Sequence, residues 1–435
     1  MHNNRNMIKR RPAPQVGMEK CFLLFAMVFL SISGFSQTSL QDCIENALKT
    51  HPALKSRGSL DQITQKELEN NSLKKYPGWN IGGTGKYQSD VVEFDLDLPF
   101  EGLDFPDLPH FQYNLSLNAN QLIYNGGQRR LERELLTLNH KERIARLEVI
   151  SREIKENVQK IFLDILLKDK QIEIVEVLRE SLGHNLERLR AGLKDGVVLE
   201  MDVKLLEAEM IDTHRKWITL LEARRAMIKQ LSLLSSMDLD PDEVLILPRV
   251  AYLERTPDRS EYDVFIFRDQ ALEVQKKMAG LKTIPRLYAF GQAGYGRPGL
   301  NFMSDQWQDF YVLGLQFSWI PWDYRESKRK KEILELNSSI IANEKENFDL
   351  QLQAAIDMIL SRITTLEQLI LEDEKMVELR QSIRISMEKK LEEGVITSSD
   401  YINELNREKQ ARLDLEKNKL DLLANKLAYE VIISR

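Results

Sequence analysis

Two rhythms of apolar and polar positions alternate along this chain. From 111 to 120 the two kinds exchange at every step, with Phe111, Tyr113, Leu115 and Leu117 set against Gln112, Asn114, Ser116 and Asn118. A period of two predicts a strand with one oily face and one wet face. Further strands are predicted over 79–87, 286–295 and 311–319. The other rhythm steps by threes and fours. Leu147, Ile150, Ile154, Val158, Ile161 and Ile165 continue, after a gap at Lys168, as Ile172, Val175, Leu178, Leu182, Leu186, Leu189 and Leu193. This is a coiled-coil seam on a helix predicted over 128–195, on the order of 100 Å long at 1.5 Å per residue. Gly196 turns the chain into a returning helix over 199–234. A second long helix is predicted over 325–393, with a turn at Gly394 and a return to 434. Shorter helices are predicted over 39–74, broken near its start by His51-Pro52, and over 261–282. Asp240-Pro241 and Leu247-Pro248 mark an irregular connector.

The two halves keep one register. Leu193, Gly196, Val197 and Asp202 match Leu391, Gly394, Val395 and Asp400, each 198 residues on. Leu115, Leu117, Tyr124 and Asn125 meet Leu313, Leu315, Trp322 and Asp323 at the same offset. A shared offset is the signature of an internal two-fold repeat. It divides the chain into 37–248 (a helix, strand pair 76–124, helical hairpin 127–235) and 249–435 (a helix, strand pair 284–322, helical hairpin 325–434). The terminal helices, 39–74 and 399–434, are about half as long as the long ones, so two of them stacked end to end would match one.

Composition narrows the class. The charged fraction of 29% suits long solvated helices. Residues 1–36 read as a signal peptide: Lys20 precedes an apolar run from 21 to 30, and Gly34 and Ser36 precede Gln37. The run is too short to span a bilayer. Residues before Met18 read as an over-long start, with Met18 as the alternative initiator. Loss of residues 1–36, which carry five Lys/Arg and one Asp/Glu, takes the net charge from −6 to −10. So acidic a chain is a poor nucleic-acid binder. Cys43 is the one cysteine outside that segment, so no internal disulfide is expected. The six histidines are scattered without metal-ligand spacing. No cofactor or metal is expected.

Four strands cannot close a barrel, and an open sheet in lipid leaves its edge groups unpaired. Yet the strands alternate as outer-membrane strands do. Tyr124, Trp319 and Trp322 stand at the strand-to-helix junctions, where an aromatic girdle meets the membrane interface. Several copies pooling their strands would resolve the conflict.

The chain resembles the TolC-like outer-membrane efflux factors. The resemblance rests on residues 115–127 (Leu-Ser-Leu-Asn-Ala-Asn-Gln-Leu-Ile-Tyr-Asn-Gly-Gly), on Gly196 with Asp202, on residues 313–323 (Leu-Gly-Leu-Gln-Phe-Ser-Trp-Ile-Pro-Trp-Asp), and on Gly394 with Asp400. It covers essentially everything after residue 36. It implies a mainly α fold with a small β part: long antiparallel coiled-coil helices form a periplasmic α-barrel, and four amphipathic strands per chain enter a shared transmembrane β-barrel. It implies a homotrimer in outer-membrane lipid, with a large periplasmic part, in a Gram-negative bacterium. The implied activity is that of a passive exit duct for a tripartite efflux or type I secretion system. Its implied partners are a periplasmic adaptor (membrane fusion) protein and an inner-membrane transporter.

The resemblance also assigns positions. In the family, acids near the periplasmic tip of the second hairpin face the pore and favour cations. Asp400 matches the first such acid; Asn403 stands where many members carry a second. Ile396 replaces a basic gate partner two residues after the turn glycine. Asp202, on the other hairpin, is expected to support this constriction. A plain helix-start role remains the alternative for both aspartates.

Two further features keep two readings each. The acidic stretch 90–110 is a solvated cap outside the cell or a cation site. Arg129, Arg130 and Arg133, and Arg325, Lys328, Arg329, Lys330 and Lys331, begin the long helices, where positive charge opposes the helix dipole. They are solvating charges or contacts to inner-leaflet phosphates.

No Ser/His/Asp set, phosphate loop or paired buried carboxylate stands out, so the chain reads as a conduit and not an enzyme. The rivals are a periplasmic adaptor, which carries one hairpin where this chain has two, and a coiled-coil scaffold without a pore.

Overall fold

The computed structural model describes residues 37–91, 109–249, 256–301 and 304–434. The expected signal peptide and nearly all of the acidic stretch lie outside the described residues. The order is β1 (Gln37–Thr38), α1 (Leu40–Thr50), α2 (Pro52–Leu73), β2 (Gly78–Tyr87), β3 (Phe111–Tyr124), α3 (Gln128–Lys194) and α4 (Glu200–Ser235). There follow β4 (Val244–Leu245), α5 (Ser260–Ala279), a 3-10 turn, β5 (Arg286–Arg297), β6 (Gln308–Ser318), α6 (Glu326–Glu392) and α7 (Ser398–Ile433). The expected break at His51-Pro52 separates α1 from α2, with Pro52 in the first turn of α2 and His51 as its N-cap. Proline suits that position because its missing N–H would have no helical partner there.

Helices dominate, joined to one four-stranded antiparallel sheet of order β2-β3-β5-β6. Both long helices have 67 residues and both returning helices have 36. Each pair begins and ends 198 residues apart.

The seam is buried as the three-and-four stepping requires, in separate clusters along the rod. The middle cluster gathers Ile154, Val158, Phe162 and Ile165 of α3 with Leu40 and Cys43 of α1, Leu231 of α4 and Leu427 of α7. Arg224 of α4 ties this level together: it pairs with Asp169 and donates to the carbonyls of Pro241 (2.8 Å) and Glu243 (2.6 Å). Cys43 is fully buried, and burial, reinforced by Asp42 and Glu243, pushes its thiol up to about 11. A second cluster fills the end far from the sheet, with Leu182, Leu186 and Leu189 of α3, Leu206 of α4, Leu391 of α6 and Tyr401 of α7. Leu193, expected in the seam, is exposed instead. Helix α3 ends one residue later, and the turn leaves nothing to cover it.

Candidate functional site

Two surfaces carry chemistry: the sheet at one end of the rods and the hairpin tips at the other. The register assigns the faces of the sheet. Ile81 pairs with Leu117, Leu117 with Ala293, and Ala293 with Tyr311; Ala289 pairs with Leu315 and Leu287 with Phe317. These residues share one face. Ile81, Leu115, Leu117, Leu313, Leu315 and Phe317 are all exposed on it. The opposite face carries Asn80, Thr84, Gln112, Asn114, Ser116, Asn118, Gln292 and Gln316. It also carries Phe290 and Phe310, whose rings cover their register partners Gly314 and Gly294. Neither outer strand, β2 or β6, has a further partner among the described residues. Among those residues no helix is long and apolar enough to cross a membrane.

Aromatic residues frame the apolar face at both ends. At the helix end stand Tyr124, Trp319 and Trp322, as the sequence places them, together with Tyr76 and Trp79; all five are exposed. Trp319 Nε1 donates to the Thr283 carbonyl at 3.0 Å. At the loop end Tyr87 packs on Phe111 (centroids 4.9 Å apart), and Trp307 stacks between Tyr113 (5.9 Å) and Tyr295 (5.3 Å). Sequence reading missed this second belt. The signal was an aromatic residue at the loop-proximal end of each strand. The belts lie eight (Trp79 to Tyr87) to eleven (Tyr113 to Tyr124) residues apart. That is about 26–37 Å along the strands, and with a barrel tilt of about 40° it brackets the ~25 Å apolar band of an outer-membrane barrel.

At the tips, Gly196 has φ 75° and Gly394 φ 70°. A Cβ on either would touch nothing, so the backbone conformation alone selects glycine. Gly394→Ala is expected to weaken this turn by about 1–2 kcal/mol, seen as faster hydrogen exchange over 391–401. Gly394→Asn should fall closer to the wild type.

Asp400 is the third residue of α7 and completes a capping box. Its Oδ2 accepts from Thr397 Oγ1 (2.7 Å) and Thr397 N (3.1 Å), while Thr397 Oγ1 accepts from the Asp400 N–H. The Thr397 hydroxyl and N–H hold this exposed carboxyl below the usual carboxylate range. Asp202 reaches across to the other hairpin, where its Oδ1 accepts the Ser398 N–H at 3.1 Å. The first tip thus caps the first helical residue of the second. Asn403 is exposed one turn along α7, and Ile396 packs against the tip cluster.

The stronger tie between hairpins was not legible. Tyr401 is fully buried, accepts from Asn185 Nδ2 at 2.7 Å, and has its phenol pKa raised by burial. Around it Arg188 of α3 pairs with Glu392 of α6, Arg380 with Glu404 (3.1 Å), and Arg384 with Glu388 (2.8 Å) and Glu408 (2.6 Å). Among the described residues no group of acids, histidines or cysteines could hold a metal ion.

No family model and no curated protein matches the chain in sequence. Solved structures match its shape over nearly the whole length. The outer membrane protein VceC from Vibrio cholerae superposes with a TM-score of 0.69 at 14% identity, covering 91% of this chain and 94% of VceC. CusC, studied for transmembrane channel formation, gives 0.73 at 11%, over 92% and 93%. The CmeC outer membrane channel of Campylobacter jejuni gives 0.68 at 13%, over 99% and 93%. The fold is TolC-like.

Proposed function

We propose that three copies of this chain form an outer-membrane channel, a passive exit duct driven by an inner-membrane pump through a periplasmic adaptor. The carrying observation is a sheet with one exposed apolar face, two aromatic belts and two unpaired edges. Lipid tolerates that face but not those edges. Joining β2 of one copy to β6 of the next closes a barrel of twelve strands from three sheets of four. A second observation agrees: Ile333, Leu336 and Ile340 of α6 recur at spacings of three and four and are all exposed. On a helical wheel they lie away from α5, where a neighbouring copy would stand. The helical hairpins then surround a tunnel running into the periplasm, and the shared 198-residue offset reads as an internal duplication.

Solved channels of the same fold support the reading, as does the absence of a catalytic constellation in the sequence. A periplasmic adaptor or poreless scaffold would have no use for the apolar sheet face. Purified protein added to a planar bilayer should give discrete conductance steps; a scaffold would give none.

At the tip, threefold symmetry gathers Asp400 around one axis, with Asp202 behind it and Asn403 one turn along. One Asp400 oxygen serves the cap and the other is left for the pore. Carboxylates at a narrow neck concentrate cations. Asp400→Asn keeps a capping oxygen and removes the charge, so reversal potentials under a salt gradient should shift towards zero. The wild-type preference should persist as pH falls into the usual carboxylate range and vanish only below it, because the folded carboxyl titrates lower. Identical potentials for the two proteins would leave Asp400 as a helix cap alone.

A further inference from the structure

Directly below the helix-end aromatic belt, α2, the end of β3 and the start of α3 enclose a half-open groove of about 1020 Å³. Its carboxylates have partners: Glu132 with Lys74 (2.7 Å), Glu69 with Lys66 (2.8 Å) and Asp61 with His140 (3.2 Å). Four exposed cations on its wall, Lys75, Arg129, Arg130 and Arg133, have no carboxylate partner among the described residues.

The placement of the arginines works against the helix. The first turns of α2 and α3 hold no acid, whereas α1, α4, α5, α6 and α7 each place one or two there. Arg129 and Arg130 in the first turn of α3 oppose the helix dipole, so folding alone does not account for them.

Their direction follows from the neighbours of α3. Leu131, Leu135 and Leu138 face Ala271 and Val274 of α5, and Glu132 faces Asn71 and Lys74 at the end of α2. Gln128 and Leu135 share a second groove with Arg286, which lies on the polar face of the sheet because its partner is Ser318. At 100° per residue the three arginines project to the other side of α3, on the flank of the apolar, lipid-facing surface.

We propose that Lys75, Arg129, Arg130 and Arg133 bind the phosphate of phospholipid headgroups in the leaflet that meets the helices. The proposal rests on the outer-membrane reading. Acyl chains would lie against the apolar sheet face, the headgroup would fall below the aromatic belt, and the guanidinium forks would take phosphate oxygens in pairs. Such contacts would fix the depth at which the barrel sits.

The test uses the full protein purified from membranes, delipidated in mild detergent and titrated with dioleoylphosphatidylglycerol under native mass spectrometry. Each chain of the trimer should retain lipid, dioleoylglycerol without the phosphate should not be retained, and millimolar inorganic phosphate should not displace the phospholipid. Arg129→Gln, Arg130→Gln and Arg133→Gln combined should weaken retention about tenfold or more, with the trimer mass in the same spectrum showing that the variant folds. Neutralising Arg215, Lys229 and Lys417, far down the rods, should change nothing. Equal retention by the arginine variant, equal retention of dioleoylglycerol, or displacement by free phosphate would overturn the proposal. A wild type that appears only as a monomer would overturn the channel reading itself.

Discussion

Leu315→Arg is expected to abolish accumulation of the assembled protein in the outer membrane. Leu315 sits mid-way along β6, paired with Ala289 and flanked by Leu313 and Phe317 on the exposed apolar face. An arginine facing lipid at the midplane of a barrel costs about 2–4 kcal/mol. In the proposed trimer three copies would meet that cost together, about 6–12 kcal/mol, comparable to the whole stability of an ordinary domain. Gln316→Arg is the control. It lies one residue along, on the polar face opposite Tyr288, where water accommodates the charge. Semi-native gels of outer-membrane fractions should show heat-modifiable trimer for Gln316→Arg and almost none for Leu315→Arg. Equal amounts would mean that the apolar face does not meet lipid.

Tyr401→Ala should loosen the tip. The side chain is fully buried among Leu182, Leu186, Leu206 and Leu391, and its hydroxyl accepts from Asn185. Removing a buried aromatic ring costs about 3–5 kcal/mol, and the amide of Asn185, itself buried, loses its partner as well. Tyr401→Phe keeps the ring and leaves only the amide unsatisfied, about 1–3 kcal/mol. The loss falls on the contact between the hairpins, while the middle cluster around Phe162 and Leu231 is untouched. The trimer should therefore still assemble. Its resting conductance in a planar bilayer should rise in the order wild type, Tyr401→Phe, Tyr401→Ala. A conductance unchanged in Tyr401→Ala would show that this contact does not hold the tip closed.

Local rules made much of this molecule legible. Alternation at 111–118 and 311–317 marked the strands, and the three-and-four stepping from 147 to 189 marked the buried seam. Gly196 and Gly394 marked turns because a positive φ selects glycine. The corresponding entry into α6 gave no such mark: Tyr324 and Arg325 adopt positive φ without being glycine, where α3 is preceded by Gly126 and Gly127. What a single chain could not show were contacts between distant segments. The Tyr401–Asn185 bond spans 216 residues and the Asp202–Ser398 bond 196, and neither leaves a periodic trace. The order β2-β3-β5-β6 was equally hidden, since two strand pairs can meet through several edges. The second aromatic belt left one trace in the sequence, an aromatic residue at the loop-proximal end of each strand, but the stacking of Trp307 between Tyr113 and Tyr295 needed the register.

Electron microscopy of the protein in lipid nanodiscs decides whether three chains share one barrel. The expected particle is threefold, its membrane part a closed ring of twelve strands, four from each chain, with β2 of one copy hydrogen-bonded to β6 of the next and the helical rods continuing as a tunnel on one side. A single chain inserted alone with its edges open, or a ring of any other stoichiometry, would contradict the three-chain barrel.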